Sequence, residues 1–283
     1  MSTIIPKRPL GKTGVEVTTF GLGGEGILRT TGRMREAVPV IRKAIEEGVT
    51  YFDTAPAYQQ SQDYLGEALG SDRKNIFLAA KTHDRTRAGS LRLLEDSLRR
   101  LKTDHLDLWQ IHDLRDLSEL DEIFSKEGAI HALEEARADQ RVRFFGITGH
   151  TDPEVLTEAL RRYSFDTALV ALNAADRHHL SFIERFLPAA QSKRIGIIGM
   201  KVYAHGMLFQ KGGIERAEDA FRYVLSLPVS LAIIGCRTAG EVEENARWAR
   251  AFTPLTPEAM AHLEGLTGAY AEEASYFKDW SRK

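Results

Sequence analysis

Hydrophobic positions along this 283-residue chain switch between two spacings. Short unbroken apolar runs alternate with longer stretches in which apolar residues recur every three or four positions. The runs at residues 17–22, 50–53, 76–81, 106–112, 143–148, 168–172, 195–200 and 231–234 read as strands buried on both faces. Helical spacing fills most gaps between them. Residues 36–47 place Val40, Ile41, Ala44 and Ile45 on one face, and Gly48 stops the helix. Residues 90–101 line up Leu91, Leu94, Leu98 and Leu101, with Ser90 as the expected N-cap and Glu95 and Arg99 as an i,i+4 pair. Asp152-Pro153-Glu154 reads as a capped helix start. Further helices are expected near 61–69, 128–138, 182–192, 215–226 and 240–250, and a last one at about 257–270. Residues 8–17, with Gly11 and Gly14, read as a hairpin.

Eight strand–helix pairs in about 250 residues predict an α/β fold, a (β/α)8 TIM barrel with an N-terminal β-hairpin cap. A doubly wound open sheet is the competing architecture. No linker or composition shift breaks the chain, so residues 1–283 are expected to form one domain. Hydrophobic residues make up 43% of it, enough for a large core. The net charge of −2 excludes general affinity for nucleic acid or anionic membranes. No apolar run approaches the roughly 20 residues of a membrane span. The N-terminus lacks a signal-peptide core, and the single cysteine, Cys236, suits a reducing compartment. The expected location is cytoplasmic; no apolar surface stripe defines an oligomeric state.

Polar residues stand at three consecutive strand ends: Asp53, then Tyr58 on the loop that follows, Lys81, and His112. A barrel builds its active site at those ends. The four types suit proton transfer to a carbonyl undergoing hydride addition. Tyr58 can act as the acid, and a nearby ammonium lowers a phenol's pKa from its free value of about 10. Asp53 gives Lys81 a counter-charge, and His112 can polarise the carbonyl oxygen. Each residue alone reads more simply as a cap, a loop residue or a snorkelling lysine; their coincidence on strands two, three and four carries the reading.

Gly21-Leu-Gly-Gly-Glu-Gly26 matches the G-x-G-x-x-G of dinucleotide-binding loops. That fingerprint needs a helix opening at once and an acid about 20 residues on at a strand end. Neither is found, so the run reads as a tight turn or close backbone approach. His83, His105, His178 and His179 lack the ligand spacing of a metal site, and none is expected. Leu108 and Trp109 read as core.

The chain resembles the aldo-keto reductases over nearly its whole length. The resemblance rests on Arg8-Pro-Leu-Gly-Lys-Thr-Gly-Val-Glu-Val, Phe20-Gly-Leu-Gly-Gly, Gly48-Val-Thr-Tyr-Phe-Asp-Thr-Ala-Pro-Ala-Tyr, Asp104-His-Leu-Asp-Leu-Trp-Gln-Ile-His, Arg141-Val-Arg-Phe-Phe-Gly-Ile-Thr and Ile234-Gly-Cys-Arg-Thr-Ala-Gly-Glu-Val-Glu-Glu-Asn. It implies hydride transfer from NADPH, or NADH, to a small aldehyde or ketone, with Asp53, Tyr58, Lys81 and His112 as the catalytic tetrad. It also implies cofactor contacts from Gly24, Asp53, Thr148, Asn173, Met200, Lys201, Gly235, Arg237, Glu244 and Asn245. The chain departs from the family pattern at Thr148-Gly149, at Leu169 and at Met200, all positions implied to surround the nicotinamide. His150 is a candidate substitute contact, and Glu241 weakens a preference for NADPH. Tyr276, Phe277 and Trp280 either line the pocket or pack beside it. Two other functions fit the residues: a cofactor-binding regulatory protein with residual reductase activity, and a Schiff-base lyase using Lys81.

Overall fold

The computed structural model describes residues 4–281. A two-stranded antiparallel hairpin, β1 (Lys7–Pro9) and β2 (Glu16–Thr18), precedes eight parallel strands. These are β3 (Phe20–Leu22), β4 (Tyr51–Asp53), β5 (Phe77–Thr82), β6 (Leu106–Ile111), β7 (Val142–Gly149), β8 (Thr167–Ala171), β9 (Gly196–Met200) and β10 (Leu231–Ile234). They run in sequence order around a closed barrel, and β10 pairs with β3 to close it. The expected barrel and hairpin are therefore both present, and the open sheet is excluded. The expected first strand, 17–22, splits: Val17 belongs to the hairpin and only Phe20–Leu22 joins the barrel.

Between and after the strands lie α1 (Met34–Glu46), α2 (Ser61–Ala68), α3 (Arg87–Leu101), α4 (Leu117–Ile123), α5 (Ala129–Ala138), α6 (Pro153–Arg162), α7 (Phe182–Arg185), α8 (Leu187–Ser192), α9 (Ala217–Ser226), α10 (Ala239–Arg250), α11 (Pro257–Thr267) and α12 (Ala271–Ala274). Helix α3 starts a turn earlier than its leucine pattern implies. Its N-cap is Thr86, whose hydroxyl accepts from the Gly89 amide, not Ser90. Ser90 is buried and spends its hydroxyl on the Asp84 carbonyl and Thr82. Asp152 does cap α6, with Pro153 in its first turn. The expected helix at 182–192 is broken in two at Phe186.

Side-chain alternation along each strand separates two cores. Phe52, Leu78, Ala80, Trp109 and Ile111 point outward and pack under the helices. Tyr51, Phe77, Ala79 and Leu108 point inward and fill the barrel with Leu169, Ile198, Leu231 and Ile233. Leu10 and Val17 of the hairpin join this inner cluster and plug the end where the strands begin. Stacked rings of Tyr51, Phe77 and Phe144, with centroids 5.4 and 6.2 Å apart, floor the interior. The same alternation puts Asp53, Lys81 and Gln110 on the inner line, at the opposite end. No helix among the described residues is long and apolar enough to cross a membrane.

Candidate active site

A cavity of about 870 Å³ opens at the C-terminal ends of the strands. Asp53, Tyr58, Lys81 and His112 all line it. Asp53 is the last residue of β4, Lys81 lies next to the end of β5, and His112 directly follows β6. At its base Lys81 and Asp53, both about 1% exposed, form an ion pair. Lys81 Nζ also donates to the Thr54 carbonyl at 2.9 Å, and Gln110 Nε2 reaches the second Asp53 oxygen at 3.4 Å. Burial drives Lys81 towards its neutral amine and Asp53 towards its acid. Their mutual attraction opposes both shifts and keeps a buried charge partnered.

Lys81 Nζ lies 4.8 Å from the centroid of the Tyr58 ring. The His112 ring meets Tyr58 edge-on, with centroids 5.7 Å apart. Here the structure corrects an expectation. Lys81, itself paired with Asp53, does not outweigh the burial that holds the Tyr58 phenol up. Burial, reinforced by the charges of Asp53 and Glu25, pushes Tyr58 well above its ordinary value, so it is a fully protonated acid in this state. His112 moves the other way. Burial, followed by the charge of Lys81, lowers it to about 3, so it is a neutral imidazole that can hydrogen-bond without adding charge.

The backbone around these groups is fixed from several sides. Arg85 donates to the carbonyls of His112 and Asp113 at 2.8 and 3.1 Å. Thr148 Oγ1 accepts from the Asp113 amide at 2.7 Å. Gly24 stands where a Cβ would lie 2.6 Å from the Asp53 carbonyl and 2.9 Å from the Tyr58 ring. The glycine-rich run is thus a place of close approach. Gly26, at φ +68°, packs against the Cys236 backbone, and no helix begins until Met34. The rejected dinucleotide fingerprint stays rejected.

From the tetrad the cavity runs past Met200, Lys201 and Gly235 to Arg237, Glu241, Glu244, Asn245 and Trp248 beside α10. Asn245 is held in place, accepting from the Tyr203 hydroxyl and donating to the Glu241 carbonyl, each at 2.6 Å. Glu241 accepts from the Arg237 amide at 2.7 Å. Asn173 must be corrected: it is buried but does not line the cavity. Its amide donates to the Lys201 carbonyl and accepts from the Ala175 amide, which ties two loops together.

Several lining residues went unnoticed in the sequence. Glu25, inside the glycine run, pairs with Arg29 at 2.8 Å and His205 at 2.7 Å, and Arg29 lies over the Tyr58 ring. Burial would raise Glu25; the bond from His205 and the charges of Lys201 and Arg29 instead bring it to about 2. Gln110 supports the site through Asp53 without lining the cavity, and it was detectable, since it precedes His112 by one strand period. Asp113 follows His112, forms an ion pair with Arg115, and has His150 Nε2 2.9 Å from its other oxygen. At the rim the Tyr276 hydroxyl shares a hydrogen bond with His205, and Phe277 packs edge-on to His150 and under Lys201. Trp280 turns away and stacks on His179. No cluster of metal-ligating side chains exists among the described residues.

Comparison with known proteins agrees with this geometry. The model of the Aldo/keto reductase family matches residues 19–219. L-galactose dehydrogenase of Arabidopsis thaliana is 31% identical over 227 residues, 75% of this chain and 70% of that protein. An uncharacterised oxidoreductase of Bacillus subtilis is 27% identical over 230 residues, 76% of this chain and 70% of its own. Among solved structures, the holo form of an aldo-keto reductase from Bacillus halodurans superposes with a TM-score of 0.78 at 26% identity, covering 93% of this chain and 96% of that one. A Klebsiella pneumoniae aldo-keto reductase solved with NADPH shares the fold at 24% identity and a TM-score of 0.76, over 91% and 94% of the two chains. The chain belongs to the aldo/keto reductase family and is an NAD(P)H-dependent oxidoreductase acting on carbonyl groups.

Proposed function

We propose that this protein reduces aldehydes or ketones with Tyr58 as the general acid, His112 as the carbonyl-orienting group and the Lys81–Asp53 pair as their support. The observation that carries this reading is the buried ion pair beneath Tyr58, with His112 edge-on to the same ring. A bound nicotinamide dinucleotide supplies the hydride. NADPH is the favoured form, with Lys201 and Arg237 as phosphate partners. The long cavity fits an extended dinucleotide: its tetrad end is polar and its far end carries Tyr203, Phe209 and Trp248. Thr148, Met200 and Gly235 would border the nicotinamide half, and Glu244 and Asn245 the adenine half.

In the proposed reaction the carbonyl oxygen accepts hydrogen bonds from the Tyr58 hydroxyl and from neutral His112. As negative charge builds on that oxygen, Tyr58 gives up its proton. The phenolate that remains is stabilised by Lys81, whose ammonium sits against the ring. Asp53 keeps Lys81 charged while the site is dry.

The lyase reading fares poorly. A nucleophilic lysine must be neutral and free to attack, whereas Lys81 is fully buried and engaged with Asp53 and the Thr54 carbonyl. The reductase reading is tested by following NADPH and NADH oxidation over a panel of carbonyls for wild type and Tyr58→Phe. The variant is expected to bind cofactor, seen by quenching of tryptophan fluorescence, yet to lose at least about 100-fold in kcat. Undiminished turnover in the variant removes Tyr58 from the mechanism. Tight cofactor binding by wild type without reduction of any carbonyl would favour the regulatory alternative.

A further inference from the structure

Tyr58 has two cations beside its ring. Lys81 Nζ lies 4.8 Å from the ring centroid, and the Arg29 guanidinium carbon lies 5.1 Å from the same centroid. The two are mounted differently. Lys81 is buried at the base of the cavity and paired with Asp53. Arg29 comes from the loop between β3 and α1, lines the cavity and keeps its side chain 46% exposed. A guanidinium stays charged at every working pH and is more weakly hydrated than an ammonium, which suits it to an aromatic ring.

The loop that presents Arg29 is anchored on both sides of it. Gly26, at φ +68°, lies where a Cβ would meet the Cys236 carbonyl at 2.4 Å, and the Ile27 amide donates to that carbonyl at 3.0 Å. The Leu28 amide donates back to the Glu25 carbonyl at 3.3 Å, and the Leu28 side chain is fully buried. The Thr30 carbonyl accepts from the Tyr64 hydroxyl at 3.0 Å and from the Gln60 amide at 3.3 Å. Between these anchors one Glu25 oxygen accepts from Arg29 at 2.8 Å, while the other stands 2.7 Å from His205 Nε2. The carboxylate is thus fixed from its far side and holds the guanidinium against Tyr58.

The charged and titratable groups acting on Tyr58 come from four elements: Asp53 on β4, Lys81 on β5, His112 and Asp113 after β6, and Glu25 and Arg29 after β3. Burial first, then Asp53, Glu25 and Asp113, hold the phenol up, and Arg29 pulls it down. Without a counterweight, loss of the proton would leave a phenolate among three carboxylates, and the acid would be slow.

We propose that Arg29, positioned by Glu25, is a second cation for Tyr58 and stabilises the phenolate formed during reduction. The inference rests on the reductase reading above and deepens it. In that step hydride adds to the carbonyl carbon, the C=O π pair becomes a lone pair on oxygen, and this lone pair takes the Tyr58 proton. The former O–H bonding pair stays on Tyr58 as the phenolate charge. Arg29 acts through Tyr58 and is a positioning residue.

Arg29→Gln, Arg29→Lys and Tyr58→Phe test it, with single-turnover reduction of a carbonyl that wild type accepts, so that product release does not mask the effect. Arg29→Gln is expected to slow reduction about fivefold, and Arg29→Lys to keep most of the rate, because charge is what acts. In the Tyr58→Phe background Arg29→Gln should have no further effect, since no phenolate forms; where that background is too slow to read, the lysine–glutamine comparison decides. Cofactor affinity, read by quenching of tryptophan fluorescence, should stay unchanged. An unchanged rate in Arg29→Gln, a lysine variant as slow as the glutamine one, or the full loss repeated on top of Tyr58→Phe overturns the proposal while wild-type turnover keeps the reductase reading. A loss confined to cofactor affinity makes Arg29 a dinucleotide contact and also overturns it. Failure of wild type to reduce any carbonyl overturns both.

Discussion

Replacing Lys81 by methionine removes one half of a pair that is about 1% exposed on each side. The shape is nearly kept, so the effect is electrostatic. Asp53 is left with one long bond, from Gln110 at 3.4 Å. Breaking a buried pair in this way costs roughly 3–5 kcal/mol, a large part of the roughly 5–15 kcal/mol that holds a typical domain together. The penalty should depend on pH in a definite direction. Without Lys81, burial dominates at Asp53 and its folded-state pKa rises further above the unfolded value of about 3.9. The folded state then holds the proton more tightly than the unfolded state. Stability is greatest below the unfolded pKa and is lost as pH rises through the folded one, by up to about 1.4 kcal/mol per pH unit. Urea unfolding followed by tryptophan fluorescence, in steps between about pH 5 and 8, measures this directly. The variant should fall furthest below wild type at the alkaline end. The double variant Asp53→Leu/Lys81→Met should recover most of the loss, since no charge is then stranded. A penalty constant across that range, or a double variant as unstable as the single one, would refute the account of the pair as a desolvated ion couple.

Other consequences are quicker to check. Gly24→Ala forces a Cβ into the Asp53 carbonyl and the Tyr58 ring, so it should cost on the order of 1–3 kcal/mol in denaturation and lower kcat by more than about tenfold through misplacement of Tyr58. Because His112 is held at about 3 and Tyr58 well above its ordinary value, kcat/KM for reduction should be flat between about pH 5 and 9; a limb near pH 6.5 would show His112 titrating and contradict the burial argument. Cys236 is fully buried, and burial, followed by the charge of Glu241, raises its thiol pKa. Iodoacetamide at pH 8 should therefore label it only as fast as the protein opens, which mass spectrometry with and without urea distinguishes.

What could be read in the sequence followed from periodicity. Unbroken apolar runs such as those ending at Asp53 and His112, separated by helical spacing, are local properties, and they correctly assigned the barrel and the strand ends where Asp53, Lys81 and His112 stand. Elements with few buried positions were missed. Helix α4 buries only Leu120 and Ile123; its capping box, Asp116 with Glu119, was the available signal. The Thr86 cap was hidden because Ser90, four residues on, has the same chemistry but turns inward. Electrostatics was least legible. That burial would outweigh Lys81 at the Tyr58 phenol, that Asn173 would tie loops instead of facing the cavity, and that His150 would come up to Asp113 all depend on distances between strands, which no spacing along one strand encodes.

The C-terminal aromatics owe their place at the cavity rim to Lys278. This lysine is 5% exposed, and its ammonium donates to the Asp176 carboxylate at 2.6 Å and to the carbonyls of Asp176, His179 and Leu180. Asp176 lies 102 residues earlier and is itself buried. During synthesis, Asp176 leaves the ribosome long before its cation exists. The loop after β8 must therefore wait with a carboxylate that is costly to bury, and Tyr276 and Phe277 reach the mouth only once Lys278 has emerged. Vectorial translation thus places completion of this part of the cavity rim after synthesis of all eight barrel strands, with the dry barrel below it free to assemble first.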